Sequence, residues 1–275
     1  MLEILLSPVF IRALVAIVLV SIVSALAGSF SVFKKSTFMI AGVAHAALGG
    51  AAFGILMTLY GIFPFFSPLL GAVIFAVFTA LFIGYITLGE NEEKTDIAIG
   101  VSFAFSMSIA IIFISMIKEY AVVAWGLIIG DLLLLTNQDI LYLLIMSIIA
   151  VLIVFIFFRE FIFISFDPEG AAAYGLKVSL YQILLLVLIS ISVVVVLKGV
   201  GAILVYALLT IPPAAANEFS KSAYEVILWA FLISLIGGII GVFTCLFINV
   251  APSGIAGLVV TTIYLIVIGY KRIKE

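Results

Sequence analysis

The sequence predicts an all-α fold, a polytopic transmembrane bundle of about eight or nine spans forming one domain over residues 1–275. Three observations carry that prediction. Hydrophobic residues make up 67% of the chain and charged residues only 9%, against about a quarter charged in a soluble domain, whose surface must face water. Apolar runs recur at about 20 residues, the length that crosses about 30 Å of hydrocarbon at about 1.5 Å per residue. Charges, prolines and glycines cluster between those runs.

Taken in order, the first run covers residues 9–33 and stops at Lys34-Lys35. Its Ala25-Leu26-Ala27 resembles a signal-peptidase site, but Glu3 stands where a leader carries basic residues and Arg12 interrupts the apolar part. It therefore reads as a retained span. The second run, 38–62, ends near Pro64 and Pro68, and the third, 69–88, ends at Gly89-Glu90-Asn91-Glu92-Glu93-Lys94. The fourth covers 97–117. Residues 121–135 are apolar but short and carry Asp131, which predicts a re-entrant or interfacial piece. The fifth span covers 140–158, with an amphiphilic stretch outside the core at 159–177, and the sixth covers 178–197. Gly199-Val200-Gly201 turns the chain into a short seventh, 202–211, which Pro212 and Pro213 are expected to end because neither donates a backbone hydrogen bond. A polar break at 217–224 precedes the eighth run, 226–248, and the ninth, 255–270.

Lysine and arginine set the expected orientation. With the loop after the first span inside, Lys34, Lys35, Lys94, Arg159, Lys177, Lys221, Lys271, Arg272 and Lys274 fall inside, and Arg12, Lys118 and Lys198 outside. Nine against three puts the C-terminus in the cytoplasm. Gly50 with Gly54, Gly126 with Gly130 and Gly237 with Gly241 have the spacing that lets helices approach closely in lipid. A net charge of −2 offers no electrostatic footprint for nucleic acid. Cys245, the one cysteine, lies in an apolar run and reads as a small buried hydrophobe. No G-x-x-x-x-G-K-[ST] loop is present, so the chain has no P-loop of its own for ATP.

Few residues can carry chemistry. His45, the only histidine, lies about two turns into the second span within Gly42-Val43-Ala44-His45-Ala46-Ala47-Leu48-Gly49-Gly50. An ionisable group there needs a cavity or a partner. It reads either as a metal or proton site on a pathway or as a histidine bonded to a neighbouring helix. Asp131 and Asp139 flank Leu132-Leu133-Leu134-Leu135-Thr136-Asn137-Gln138. They read either as cation-attracting groups at an outer entrance or as an interfacial residue and a helix cap, respectively. Residues 209–222, with Pro212, Pro213, Ala214, Asn217, Glu218 and Lys221, read either as a cytoplasmic helix that docks a partner or as an ordinary loop.

Four stretches together resemble the ABC-3 family, the permease subunits of ABC importers for zinc and manganese. They are Gly28-Ser29-Phe30-Ser31-Val32-Phe33-Lys34-Lys35; Ala44-His45-Ala46 with Gly49 and Gly54; Gly130-Asp131-Leu132-Leu133 with Asn137-Gln138-Asp139; and Phe166-Asp167-Pro168-Glu169-Gly170-Ala171 through Lys198-Gly199-Val200-Gly201 to Ile211-Pro212-Pro213-Ala214. The resemblance covers nearly the whole chain. It implies a type II-like importer permease in the cell membrane, homodimeric and without catalytic activity. It also implies two ATP-binding subunits on the cytoplasmic side, ATP bound only by them, and an extracellular metal-binding protein that delivers the ion. His45 becomes the first candidate metal ligand, with Asp131 and Asp139 behind it. No cofactor is bound covalently; zinc or manganese is cargo. The stretch 212–222 becomes the coupling helix, with Pro212, Pro213, Ala214, Asn217, Glu218 and Lys221 as its candidate contacts.

Two departures stand out. The family carries an acidic residue four positions before the histidine, where this chain has Ala41, and the post-proline stretch has Asn217-Glu218 where an arginine is often found. An Asp/His pair at i, i+4 would share one helix face, so Ala41 keeps open a metal chelate or a cobalamin-like molecule as cargo. An ion-coupled secondary transporter is the remaining alternative. It would need midplane charges and usually an internal repeat, and the sequence offers neither.

Overall fold

A computed structural model describes residues 7–61, 66–87, 92–117, 130, 132–248 and 250–274. Every regular element among them is helical, and eight helices are long and apolar enough to cross a membrane. The first span is continuous: α1 (Pro8–Val23), a π-helical turn (Ser24–Gly28) and α2 (Ser29–Phe33). Spans two to four are α3 (Phe38–Leu59), α4 (Pro68–Thr87) and α5 (Glu92–Met116). The fifth is α6 (Asn137–Phe166). After the short α7 (Pro168–Ala173) comes the sixth, α8 (Val178–Val200). The shorter α9 (Ala202–Asn217) leads to the last two spans, α10 (Ala223–Cys245) and α11 (Pro252–Lys274).

Local chemistry starts these helices where they start. Ser7 accepts from the Phe10 amide, and Pro8 follows it at the helix entrance, where a missing N–H costs nothing. Ser222 caps α10 through the Glu225 amide at 3.3 Å. The Glu225 carboxylate reaches back to the Lys221 amide at 2.8 Å.

The bundle has two centres. In one half, α3 packs between α4 and α5 and is almost wholly buried. Small residues permit that. Gly50 and Gly71 lie backbone to backbone, and a methyl group on either would overlap the other's carbonyl. A Cβ built on Gly54 would come within 2.7 Å of Pro68, and one on Gly49 would stand 3.4 Å from Ala110. In the other half, α9 packs against α10, α11 and the π turn. Gly237 and Gly241 seat Val260 and Ala256 of α11. Helix α8 joins the halves through α3, α4, α6 and α9. Phe30 is fully buried and meets Phe158 and Phe161 of α6 edge-on, with centroids 6.0 and 5.6 Å apart.

The structure refines the expected boundaries in two places. Helical backbone continues past 158, but α6 (Asn137–Phe166) is kinked close to the expected end of the fifth span, where two helical pieces meet at Phe157, φ −111° and ψ 20°. Nothing from Arg159 to Phe166 breaks a helix, so the chain leaves it only at Asp167-Pro168, where the residue before proline disfavours the α region. Asp167 then caps α7, accepting from the Gly170 amide at 2.8 Å.

Pro212 and Pro213 do not end the short helix either; α9 continues through both to Asn217. Each proline deprives the carbonyl four residues earlier of its donor, which leaves Leu208 and Leu209. The Ser24 hydroxyl donates to the Leu208 carbonyl across the helix interface. Gly28 lies against the Leu209 carbonyl, so closely that a methyl group there would overlap it. The serine hydroxyl thus replaces the donor lost at Leu208, and the glycine lets the first span come close enough for it to do so. At 16 residues it is about 24 Å long, short of about 30 Å of hydrocarbon. Among the described residues there are thus eight helices of full crossing length and one short helix buried among them.

The bundle's ends differ. Where α1, α6 and α9 begin and α8 finishes, Arg12 donates to Asn137 Oδ1 at 3.1 Å and Lys198 pairs with Asp139 at 3.0 Å. Where α2, α9 and α11 finish, Lys271 meets Glu218 at 2.9 Å, and Lys34, Lys35, Lys221, Arg272 and Lys274 lie at that same end. Lys118 and residues 121–129 lie outside the described residues.

The glycine seats make a direct test. Gly71→Leu should force α3 and α4 apart and cost about 1–3 kcal/mol or more, as overpacking does, read as a lower unfolding temperature in detergent. Gly100→Leu should change that temperature little, because no atom lies within 4 Å of a Cβ built there.

Candidate functional site

His45 sits on α3, seven residues on from Phe38, about 10 Å along the helix from its basic end. It is half-buried among the small residues of the α3 core. Its Nδ1 lies 2.8 Å from the Ala41 carbonyl oxygen. A carbonyl only accepts, so Nδ1 carries the proton and donates. With Nδ1 donating, Nε2 is the ring nitrogen left for a ligand. Phe103 of α5 holds the ring edge-on at 4.7 Å between centroids. A carbonyl that fixes the tautomer in this way is the usual outer partner of a metal-binding histidine. It also satisfies a histidine with no ligand at all. Among the described residues, no group of three or more His, Cys, Asp or Glu side chains is placed to hold a metal ion.

Asp139 lies at the end of the bundle opposite the basic end that His45 is nearer to, so the structure does not bring the two together. Asp139 is the third residue of α6, and Thr136 is its N-cap. Its Oδ2 accepts from the Thr136 amide at 2.9 Å and the Thr136 hydroxyl at 2.8 Å, while Thr136 Oγ1 accepts from the Asp139 amide at 3.2 Å. Its Oδ1 meets Lys198 Nζ at 3.0 Å. Both oxygens are thus engaged, in a clasp that ties α6 to α8, and Arg12 to Asn137 ties α6 to α1 alongside it. Asp131 lies outside the described residues. Its neighbour Gly130, at φ 66°, packs so closely on the Val200–Gly201 peptide that a side chain would overlap it.

The candidate coupling residues divide by exposure. Pro212 and Pro213 are buried in the bundle and Ala214 is half-buried. Asn217, Phe219, Lys221 and Ser222 are exposed at the basic end. Glu218 is half-buried and held by Lys271. The presentable surface is therefore the α9–α10 turn rather than the proline pair.

Sequence reasoning missed Ser24, Gly28 and Thr136. Ser24 had a signal: a proline pair inside an apolar run leaves two carbonyls in need of donors, and few hydroxyls are available there.

Three comparisons bear on this arrangement. The family model described as ABC 3 transport family matches residues 7–271. A Synechocystis protein named only as an uncharacterized membrane protein, slr2045, is 31% identical over 95% of this chain and 90% of its own length. The manganese transport system membrane protein MntC of Listeria monocytogenes is 33% identical over 93% of this chain and 88% of its own. The structure of PsaBC from Streptococcus pneumoniae, in complex with a Fab, superposes with a TM-score of 0.85 at 26% identity, covering 100% of this chain and 98% of that one.

The clasp can be dissected by unfolding measurements at low and high salt. Thr136→Ala should cost about 1 kcal/mol at either salt, the worth of a helix N-cap. Lys198→Ala should cost about 0.2–1 kcal/mol at low salt and less at high salt. Asp139→Ala should show both losses.

Proposed function

The chain belongs to the ABC 3 transport family, and from that premise we propose that it is the membrane-spanning permease of an ATP-driven importer that carries manganese, with zinc as the competing cargo, into the cytoplasm. The observation that carries this reading is the family match over residues 7–271, joined to 33% identity with a manganese transport membrane protein along nearly the whole chain. The multi-pass helical architecture and its superposition on PsaBC support it.

In this reading the permease hydrolyses no ATP, since it has no P-loop; separate ATP-binding subunits supply the energy. They dock on the exposed turn at Asn217, Phe219, Lys221 and Ser222, with Glu218 shaping it from within. That side is cytoplasmic, in keeping with the positive charge at the same end, and the C-terminus lies there too. Closure of the ATPases would drive alternating access, and an extracellular binding protein would deliver the ion. His45 offers Nε2 to the ion. One imidazole is a small part of any coordination shell, which supports a homodimer in which a second copy adds its own His45.

One observation favours a second reading. Ala41 faces His45 with a carbonyl and has no carboxylate to offer, so a metal chelate, which brings its own ligands, remains the alternative cargo. Uptake into proteoliposomes by the permease with its ATPase decides between them. His45→Ala should lower manganese uptake at least tenfold while the ATPase still co-purifies, and Ala41→Asp should raise affinity for the free ion. Chelate uptake indifferent to His45→Ala would select the second reading. Lys221→Glu should weaken co-purification of the ATPase; unchanged binding would remove this turn as the docking surface.

A further inference from the structure

Pro212 and Pro213 leave the Leu208 and Leu209 carbonyls without the donors a helix would give them. Those two carbonyls are where the first span touches α9. Ser24 is fully buried, and its hydroxyl donates to Leu208 O. One turn further along the same face, Gly28 meets Leu209 O, and a Cβ built on it would lie 3.0 Å from Pro213 Cγ. Both contacts come from the π-helical stretch Ser24–Gly28, a widened turn of a kind often found at functional sites. From Leu208, α9 runs nine residues to its exposed end at Asn217. From Ser24, α1 runs twelve residues back to Arg12, which clasps Asn137 at the far end of the bundle. One side-chain hydrogen bond thus joins two helical struts that together reach from one end of the molecule to the other.

We propose that Ser24 is a positioning residue for energy coupling: its hydroxyl binds the π turn of the first span to the Leu208 carbonyl left free by Pro212, so that displacement of the 217–222 turn is passed through α9 to the first span and its far-end clasp. This rests on the reading of that turn as the ATPase docking surface. No other described side chain donates to Leu208, and both partners are shielded from water. The bond therefore meets little competition while the helices move.

The test uses the complete complex, permease with ATPase and the extracellular metal-binding protein, in proteoliposomes, reading manganese taken up per ATP hydrolysed. Ser24→Ala is expected to leave ATPase co-purification and basal hydrolysis unchanged and to lower uptake per ATP at least tenfold. Ser24→Thr, which keeps the donor, should recover at least half of the wild-type ratio. Ser31→Ala, which removes only a local bond to the Gly28 carbonyl, should leave the ratio unchanged. Pro212→Ala gives Leu208 back a donor from its own helix. The double variant Ser24→Ala with Pro212→Ala should therefore recover wild-type thermal stability, including where Ser24→Ala alone does not fold, yet stay uncoupled. A wild-type ratio in Ser24→Ala, or a restored ratio in the double variant, would overturn the proposal, the latter by reducing Ser24 to a stabilising contact. Absence of manganese uptake by the wild-type complex would instead defeat the proposed function, and this proposal with it.

Discussion

Lipid offers no hydrogen bonds, so every backbone N–H and C=O of this chain must find its partner inside the protein. Among the described residues, the regular stretches of the long helices meet that demand by themselves. Helix α9 cannot, because two adjacent prolines remove two donors, and the rest of the bundle is arranged around that deficit. The first span widens into a π turn and turns a serine and a glycine toward the two freed carbonyls. Leaving a carbonyl unmet in the core costs about 1–3 kcal/mol by mutational measures. A hydrogen bond between membrane helices is worth about 0.6 kcal/mol on average and up to about 1.7 kcal/mol.

Close approach of backbones is the second device, and it serves the other half. Helix associations in lipid gain little from the hydrophobic effect, since the tails are as apolar as the side chains. What remains is contact area and van der Waals fit. Removing Cβ atoms at Gly50 and Gly71 brings two backbones together and lets α3 sit almost wholly inside the protein. That burial gives His45 its setting. The ring stands in a shell of small residues, pinned by Phe103 on one side and by the Ala41 carbonyl on the other.

Span number and order were legible because crossing length is a hard physical constraint that composition reports directly. Boundaries were less legible where the signal was local. Arg159 suggested that the fifth span had left the membrane. A charge at a helix end reports the lipid boundary, whereas only backbone chemistry at Asp167-Pro168 ends the helix. The proline pair misled for the opposite reason: proline breaks a helix only when nothing else meets the orphaned carbonyl, and the partner lay 184 residues away in sequence. At the candidate site, the position of His45 was readable and its tautomer was not, because the tautomer depends on how the side chain turns toward Ala41. Asp139 was recognised as a helix-start residue, but the cap is Thr136, and the ion pair with Lys198 joins two helices whose contact no local pattern reveals. Asp131 lies outside the described residues.

The polar contacts between distant parts of the chain have a common logic. Arg12 with Asn137, Lys198 with Asp139 and Lys271 with Glu218 lie at the two ends of the bundle, where water keeps ion pairs cheap to make and break. Ser24 with Leu208 makes such a contact between helices in the dry interior, and there it uses neutral groups, which avoid the desolvation cost of buried charge. That division leaves the contacts at the ends open to exchange with water, while the interior junction persists because no solvent competes for it. The first span and α9 are therefore held to each other inside the bundle, where α9 packs on α3 as well.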